Sequence, residues 1–380
     1  MQKIILKQKR VLGISSLFPS FKTKKNQKKS SKTKSNLSSL IINNKIEPPK
    51  FTVINVNEEC FFKCIMCYKW QPDINITSDM NQITTQEIKN YIDELYLIIE
   101  KKKGHILNFA GGEPLLRKDM LEIISYASKL GFYTNIATNG WLITKSYAEK
   151  LVKSGLSSVV FSIDGFKKVH DLMRGRKGSF EKAMKAIENI AYFRDLIQSE
   201  RILEDRITIS IQTVLCKLNM HEVVAMVDWI DHNTLGIKTI HFNAVSEPNN
   251  TKHDKNWYKN AFKELWPDNK DEVNKVVDQI YKLKLNGSKI AEAPKQILAY
   301  KRYFNEPQKF IKAGPCNFDK SLTLSSTGDM FLCFNYESIG NIRETKLTQA
   351  WKSYSSEEVR NKIRGCQKNC HFLINCYYEE

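Results

Sequence analysis

No stretch of the 380-residue sequence approaches the roughly 18–20 consecutive apolar residues that a membrane span requires. A secretory signal is also missing, because residues 11–18 form a short apolar run broken by Gly13, Ser15 and Ser16. There is no internal repeat beyond a β/α unit. Acidic residues are nearly absent from the first fifty positions, where Glu47 stands alone against thirteen Lys or Arg. That stretch carries +12 of the formal net charge of +18, leaving only +6 for the other 330 residues. The basicity is therefore no general nucleic-acid signal, and neither a nucleic acid nor a membrane is expected as partner. Residues 22–39 are rich in Lys, Ser and Asn and poor in aromatics, so they cannot bury enough surface to offset ordering. Residues 1–48 read as a disordered basic tail. A transit peptide is the alternative, although such peptides favour Arg over Lys. A cytoplasmic location is expected.

Hydrophobic residues make up 42% of the chain, enough for a sizeable core. Strand-like segments at 51–56, 105–110, 132–137, 159–163, 207–215 and 238–243 alternate with helix-like segments at 85–103, 116–130, 144–154, 179–196 and 220–232. Thr84 or Thr85 suits the N-cap of the first helix, and Gly131 and Gly155 stop the second and third. Such alternation predicts right-handed crossovers and a parallel sheet. The pattern alone leaves open a doubly wound sheet or an incomplete barrel. In both, ligands gather at the carboxyl ends of the strands. Cys60, Gly111-Gly112-Glu113-Pro114, Thr138-Asn139-Gly140 and Asp164-Gly165 follow the first four strands in that order. Residues 246–312 read as a bridging segment with a helix at 271–285, and residues 313–380 as a small Cys-rich module.

The nine cysteines fall into two groups, with Cys216 alone in an apolar strand as a buried core thiol. Without a secretory signal, clustering points to metal or cluster ligation rather than disulfides. Cys60, Cys64 and Cys67 offer three thiolates, and a [4Fe–4S] cubane uses four, one per iron. One iron is thereby left open for a ligand. Zinc is the competing reading, but it needs a fourth ligand close by. The nearest histidine in sequence, His105, sits at the far end of its predicted strand.

The run Cys60-Phe61-Phe62-Lys63-Cys64-Ile65-Met66-Cys67-Tyr68 resembles the signature of the radical S-adenosylmethionine superfamily. The resemblance extends over about residues 51–245. Met66 takes the position that packs near the adenine in that family. Gly111-Gly112-Glu113-Pro114 resembles its GGEP motif, which contacts the methionyl amino group. Two glycines suit close backbone approach to a ligand, and a carboxylate suits an ammonium. Ser162 and Asp164 resemble the fourth-strand segment that helps hold the cofactor. Arg174 matches the arginine that reaches the cofactor carboxylate, for which a guanidinium fork is apt.

The resemblance implies a partial (β/α)6 TIM-like barrel at 49–245. It also implies a chemistry in which a reduced cluster cleaves S-adenosylmethionine to a 5′-deoxyadenosyl radical that abstracts a substrate hydrogen. An external one-electron reductant of flavodoxin or ferredoxin type would feed it. Catalytic acid and base residues are not identified, although His241 is a candidate.

Cys316, Cys333, Cys366, Cys370 and Cys376 resemble SPASM and twitch auxiliary-cluster modules, including the glycine turn at Gly328, residues 339–342 and Trp351. Full SPASM modules have about seven cysteines, so five imply one auxiliary [4Fe–4S] cluster in a twitch-like or truncated module. Cys316, Cys333, Cys366 and Cys370 are the expected ligands, with Cys376 as substitute or addition; zinc is the alternative. Full ligation favours electron relay over substrate ligation. The substrate is either a peptide, in a maturase, or a small sugar- or alcohol-type molecule, in a dehydrogenase or epimerase. Residues 1–50 are too short and polar for the winged-helix region frequent in peptide maturases, which weighs against the former. RNA modification and a non-catalytic electron carrier rank below both, the carrier because it needs no cofactor pocket.

Overall fold

In the first strand, β1 (Phe51–Asn57), Thr52, Ile54 and Val56 are buried while Phe51, Val53 and Asn55 are half-buried. This two-residue period is the mark of a sheet with one fully covered face. The computed structural model describes residues 46–67, 69, 81–99, 104–202, 205–247, 254–311 and 316–376, with only the backbone of Asn317, Phe372, Leu373 and Cys376. Residues 1–45, and so nearly all of the expected tail, lie outside the described residues.

Five parallel strands follow β1: β2 (Ile106–Gly111), β3 (Tyr133–Thr138), β4 (Ser158–Ser162), β5 (Thr208–Leu215) and β6 (Ile237–Ala244). Between them run α1 (Thr85–Ile98), α2 (Met120–Lys129), α3 (Lys145–Lys153), α4 (Lys167–Met173), α5 (Ser179–Ile197) and α6 (Val223–His232). The six strands stand in simple sequence order. A doubly wound sheet would reverse direction at a switch point. Unbroken order with one hand of crossover puts the helices on one face, and the sheet curls as a partial (β/α)6 barrel. The helix-facing residues Leu107, Phe109, Ile136, Phe161, Ile209, Ile211, Ile240 and Phe242 form the core.

Helix α1 starts where a capping box stops the preceding chain. The Thr84 side chain accepts from the Glu87 N–H, and Glu87 accepts in return from the Thr84 N–H. The sequence led us to expect this helix to reach 103; it is described to Ile98, and residues 100–103 lie outside the described residues.

The segment read as a bridge is packed. Helices α7 (Lys270–Leu285) and α8 (Pro294–Asn305) lie beside β6, with Tyr300 Oη donating to the Phe242 carbonyl at 2.7 Å. Trp257, Phe262, Trp266, Tyr303 and Phe304 are buried together. The Cys-rich region then joins the main sheet. Strand β7 (Ser321–Leu324) pairs parallel with β1, and β8 (Asp329–Phe331) and β9 (Gly340–Asn341) continue antiparallel. Helices α9 (Leu347–Ala350), α10 (Tyr354–Arg364) and α11 (His371–Cys376) complete it. Among the described residues, no helix is long and apolar enough to cross a membrane.

Two predictions follow from this packing. Leu322 is fully buried on the β1–β7 seam. Leu322→Ala should cost about 2–5 kcal/mol, and a urea titration should show one cooperative transition moved to lower denaturant; two separated transitions would refute a shared core. His105 is buried, with Nε2 3.1 Å from Thr52 Oγ1, and burial pushes its pKa from 6.5 down to about 4. The unfolded chain therefore binds the extra proton below pH 6.5, so this contribution is intact above that pH and is lost as pH falls toward 4. In His105→Gln the urea midpoint should fall less steeply across that interval; curves parallel to the parent would sink the assignment.

Candidate functional site

The loop after β1 carries Cys60, Cys64 and Cys67, and two segments clamp its backbone. On one side stands the end of β2. The Gly112 N–H donates to the Asn57 carbonyl at 3.1 Å, Asn57 Nδ2 donates to the Glu113 carbonyl at 2.9 Å, and the Glu113 N–H donates to the Glu59 carbonyl at 2.7 Å. A Cβ on Gly112 would lie 1.9 Å from the Glu59 carbonyl oxygen, and one on Gly111 2.2 Å from that of Asn57. The sequence led us to expect these glycines to admit a ligand. In the structure they admit the cysteine loop itself.

On the other side stands the end of α4. The Ile65 N–H donates to the Met173 carbonyl at 3.0 Å, and Arg176 Nη1 donates to that of Phe61 at 3.4 Å. Gly175, with φ +63°, lies so close that a Cβ would be 2.4 Å from the Lys63 carbonyl oxygen.

The three thiols are half-buried and near enough to repel one another's charge. Burial pushes Cys60 up to about 11 and lifts Cys64 and Cys67 above the ordinary thiol value. Ligation needs thiolates, so a cation nearby matters. Arg174 supplies it, with Nη1 3.8 Å from Cys64 Sγ. Its Nε lies 2.7 Å from Asp164 Oδ2, an ion pair without hydrogen-bond alignment. Burial alone would lower the Arg174 pKa, but Asp164 and Cys64 hold it above its ordinary value. Arg174 is thus shared between a carboxylate and a sulfur, and only its remaining N–H groups are left for a cofactor carboxylate.

Glu113 is buried and already accepts from the Leu115 N–H at 3.2 Å, Thr138 Oγ1 at 2.8 Å and the Asn139 N–H at 2.9 Å. A carboxylate has about four acceptor sites, which leaves about one for an ammonium. Pro114 is buried and opens a short 3-10 turn, Pro114–Leu116. Met66 is half-buried against the core, and Ser162 is the half-buried last residue of β4.

In the second group, Cys316 and Cys333 are buried, and Cys366 and Cys370 are half-buried. Burial pushes Cys333 up to about 12, with Cys370 and Cys316 close enough to add to the shift. The Tyr336 hydroxyl donates to the Lys362 carbonyl at 3.1 Å, and Cys366, Cys333 and Cys316 lie near enough to help raise its pKa. Asn335 Nδ2 donates to Cys333 Sγ at 3.8 Å. The side chain of Cys376 lies outside the described residues. Among the described residues no three Cys, His, Asp or Glu side chains converge as tightly as a single ion needs. A cubane asks for wider spacing, one sulfur to each iron.

Residues 54–230 match the Radical SAM superfamily, and residues 316–377 match SPASM, an iron–sulfur cluster-binding domain. The chain belongs to the radical S-adenosylmethionine superfamily. It falls in the SPASM/twitch branch of that superfamily. Fe-coproporphyrin III synthase of Methanosarcina barkeri is 32% identical over 183 residues, 48% of this chain and 41% of the relative. Mycofactocin maturase MftC of Mycolicibacterium smegmatis is 35% identical over 133 residues, 35% of this chain and 32% of the relative. The chain thus matches well under half the length of these relatives. The fold is shared with Streptococcus suis SuiB bound to precursor peptide SuiA, at 17% identity and a TM-score of 0.60, over 94% of this chain and 79% of SuiB.

Radical S-adenosylmethionine enzymes use the cofactor of that name with a [4Fe–4S] cluster, and the SPASM domain adds iron–sulfur ligation. The donor set fits. Three mutually close thiols beside a buried cation can hold one cube with an open iron, and Cys316, Cys333, Cys366 and Cys370, linked through Cys333 and Tyr336, offer four thiols for another.

Several supporting contacts were not legible in the sequence. The Asp164 N–H donates to His170 Nδ1 at 3.2 Å, and burial drops the His170 pKa to about 3, so the ring is neutral. Glu222 accepts from the Phe166 N–H at 2.7 Å, and a Cβ on Gly165 would lie 2.5 Å from the same Oε2. Arg176 stacks 4.1 Å from the Trp141 ring centre and also covers Phe61 and Phe62. Glu292 is buried 3.9 Å from His241 Nδ1, with its carboxyl pushed up to about 7 by burial. His170 lies in the segment His170-Asp171-Leu172-Met173-Arg174-Gly175 that carries the Arg174 resemblance, and Arg176 follows it by one residue, but Glu222 and Glu292 sit in no recognisable motif. Cys216 is fully buried, as its apolar strand implied.

Gly175→Ala tests the clamp. Its forced φ should cost about 1–3 kcal/mol, and the displaced loop should lose iron after anaerobic reconstitution. Cleavage of S-adenosylmethionine should fall about a hundredfold, the scale of a misplacement near 1 Å. Parental iron content with parental cleavage would remove the clamp from the argument.

Proposed function

We propose that this protein removes a hydrogen atom from a peptide substrate, with Cys60, Cys64 and Cys67 holding the radical-generating cluster. When bound, that cluster supplies one electron to S-adenosylmethionine, releasing methionine and a 5′-deoxyadenosyl radical that takes the substrate hydrogen. Arg174 and Glu113 would orient the methionyl end, Arg174 by charge and Glu113 by its spare acceptor site. Cys316, Cys333, Cys366 and Cys370 would hold the acceptor for the electron left on the substrate, which balances the oxidation. Cys376 is a further thiol at the end of α11.

The observation that carries the peptide reading is the sheet face away from the helices. Ser162, Gln212 and His241 stand side by side on β4, β5 and β6. Asn108 and Asn135 share a 2.7 Å hydrogen bond on the same face, and Asn243 lies two residues beyond His241. Across β1–β6 this alternate register holds no Lys or Arg. Amides and hydroxyls suit peptide N–H and C=O groups. MftC is a maturase, and SuiB is bound to a precursor peptide, which supports the same reading. A small-molecule substrate is the second reading, and the match to Fe-coproporphyrin III synthase favours it. A polyanionic porphyrin, however, would call for cations along this face.

Anaerobic reconstitution with dithionite and S-adenosylmethionine tests both levels. Iron near about eight per chain and formation of 5′-deoxyadenosine support the two-cluster enzyme. Cys64→Ala should abolish the product. Dehydrogenation or cross-linking of a peptide encoded beside this gene supports the maturase; turnover of a porphyrin with peptides untouched would overturn it.

A further inference from the structure

A second surface lies at the same end of the sheet, on the helix side. Trp141 follows β3, and its ring centre is 5.7 Å from that of Phe62, whose N–H reaches Cys60 Sγ at 3.5 Å. Trp141 is therefore one aromatic contact away from the first cysteine. Its outer side opens into a groove of about 500 Å³ between the start of α3 and the flank of α5 from Lys182 to Tyr192. Lys145, Lys182, Lys185, Glu188 and Tyr192 line it together with Trp141.

The groove is positive. Lys145 lies 5.1 Å from the Tyr192 ring centre and Lys182 5.7 Å from that of Trp141. Neither lysine has an acidic partner among the described residues. The neighbouring acids are already engaged, Glu188 by Lys185 at 2.8 Å and Glu181 by Lys167. Arg176, stacked on the inner side of Trp141, adds a cation, and Lys177 is exposed on the turn between α4 and α5. The first turn of α3 contributes a positive dipole end, whereas that of α5 is already occupied by the Asp171 carboxylate, which accepts from the Gly178 and Phe180 N–H groups at 2.6 and 2.9 Å. Tyr192 is 53% exposed, an unusual display for a large aromatic. Aromatic rings rimmed by unneutralised lysines fit a partner with an acidic face and an apolar centre.

We infer that the groove formed by Trp141, Lys145, Lys182 and Tyr192 docks the acidic one-electron carrier that reduces the cluster of Cys60, Cys64 and Cys67. The inference rests on the radical-enzyme reading of those cysteines, since a cluster that cleaves S-adenosylmethionine must be re-reduced. The carrier is oxidised by one electron and the cluster reduced by one. Placement decides for a carrier over single-stranded RNA, which also favours rings and lysines. An electron donor gains from standing one ring contact from the acceptor, and RNA gains nothing from it.

The experiment compares two reductants on the reconstituted full chain, in the parent and in Lys145→Glu/Lys182→Glu. Both lysines are exposed and stand apart from the cofactor contacts, so dithionite should drive 5′-deoxyadenosine formation equally in the two. With reduced flavodoxin as donor, the variant's KM for flavodoxin should rise about tenfold, the scale of reversed rim charges. The parent's flavodoxin-driven rate should fall with added salt, and the variant's should be flat. An unchanged KM overturns the docking surface and leaves the enzyme reading standing, as does a parent rate insensitive to salt. Loss of poly(U) binding in the variant with an unchanged KM assigns the groove to nucleic acid and likewise overturns it. No 5′-deoxyadenosine from the parent with dithionite overturns both.

Discussion

Backbone-to-backbone contact at the cysteine loop is the constraint on which the site depends. Residues 57–65 are pinned by Gly111 and Gly112 on one side and by Gly175 on the other, at distances that leave no room for a Cβ. Side chains could not do this work as rigidly, because each adds rotatable bonds between the loop and its support. The clamp also fixes the thiols relative to Arg174, which immediately precedes Gly175. One short stretch of α4 and its exit therefore sets loop shape and local charge together. Asp164 closes the circuit: its Oδ1 takes the Val214 N–H at 2.9 Å while Oδ2 pairs with Arg174.

The winding of the chain explains why these groups meet. With β1 to β6 in sequence order and all crossovers of one hand, every strand ends at the same rim. The cysteine loop, the Gly-Gly-Glu-Pro turn, Asn139 and Asp164 are successive strand exits, so neighbours in sequence order are neighbours in space. Pairing of β7 with β1 brings the second cysteine group onto the same sheet. That edge would otherwise expose a strand to other chains.

Strand positions were legible because the period of two and the glycine stops are local signals. The six observed strands begin and end within one residue of those read from sequence. An N-cap at Thr84 or Thr85 was legible for the same reason; the structure has it at Thr84 and adds the reciprocal bond with Glu87. Segment 246–312 was misjudged in weight. The helix at 271–285 was read correctly. Its neighbouring aromatics looked scattered among polar residues, yet Trp257 and Trp266 from a turn segment meet Tyr303 on α8, which no period revealed. The role of Gly111 and Gly112 was missed because their neighbour, Glu59, is more than fifty positions away. The Arg174 pair with Asp164 was equally hidden: each residue was picked out from a motif of its own, and motifs carry no partner information.

The charge pattern gains meaning from this geometry. Net charge outside the first fifty residues is only +6, a value that predicts no strong field. Distribution matters more than sum. The sheet face away from the helices presents amides, hydroxyls and a histidine, while the start of α5 presents lysines whose acidic neighbours are already paired. On the proposed reading, substrate and reductant then approach from opposite sides of the same strand ends, with the cysteine loop between them. A radical intermediate is quenched by any reductant that reaches it, so separate entries protect the chemistry. A sheet with helices on one face supplies such a division, because only the other face is open to substrate.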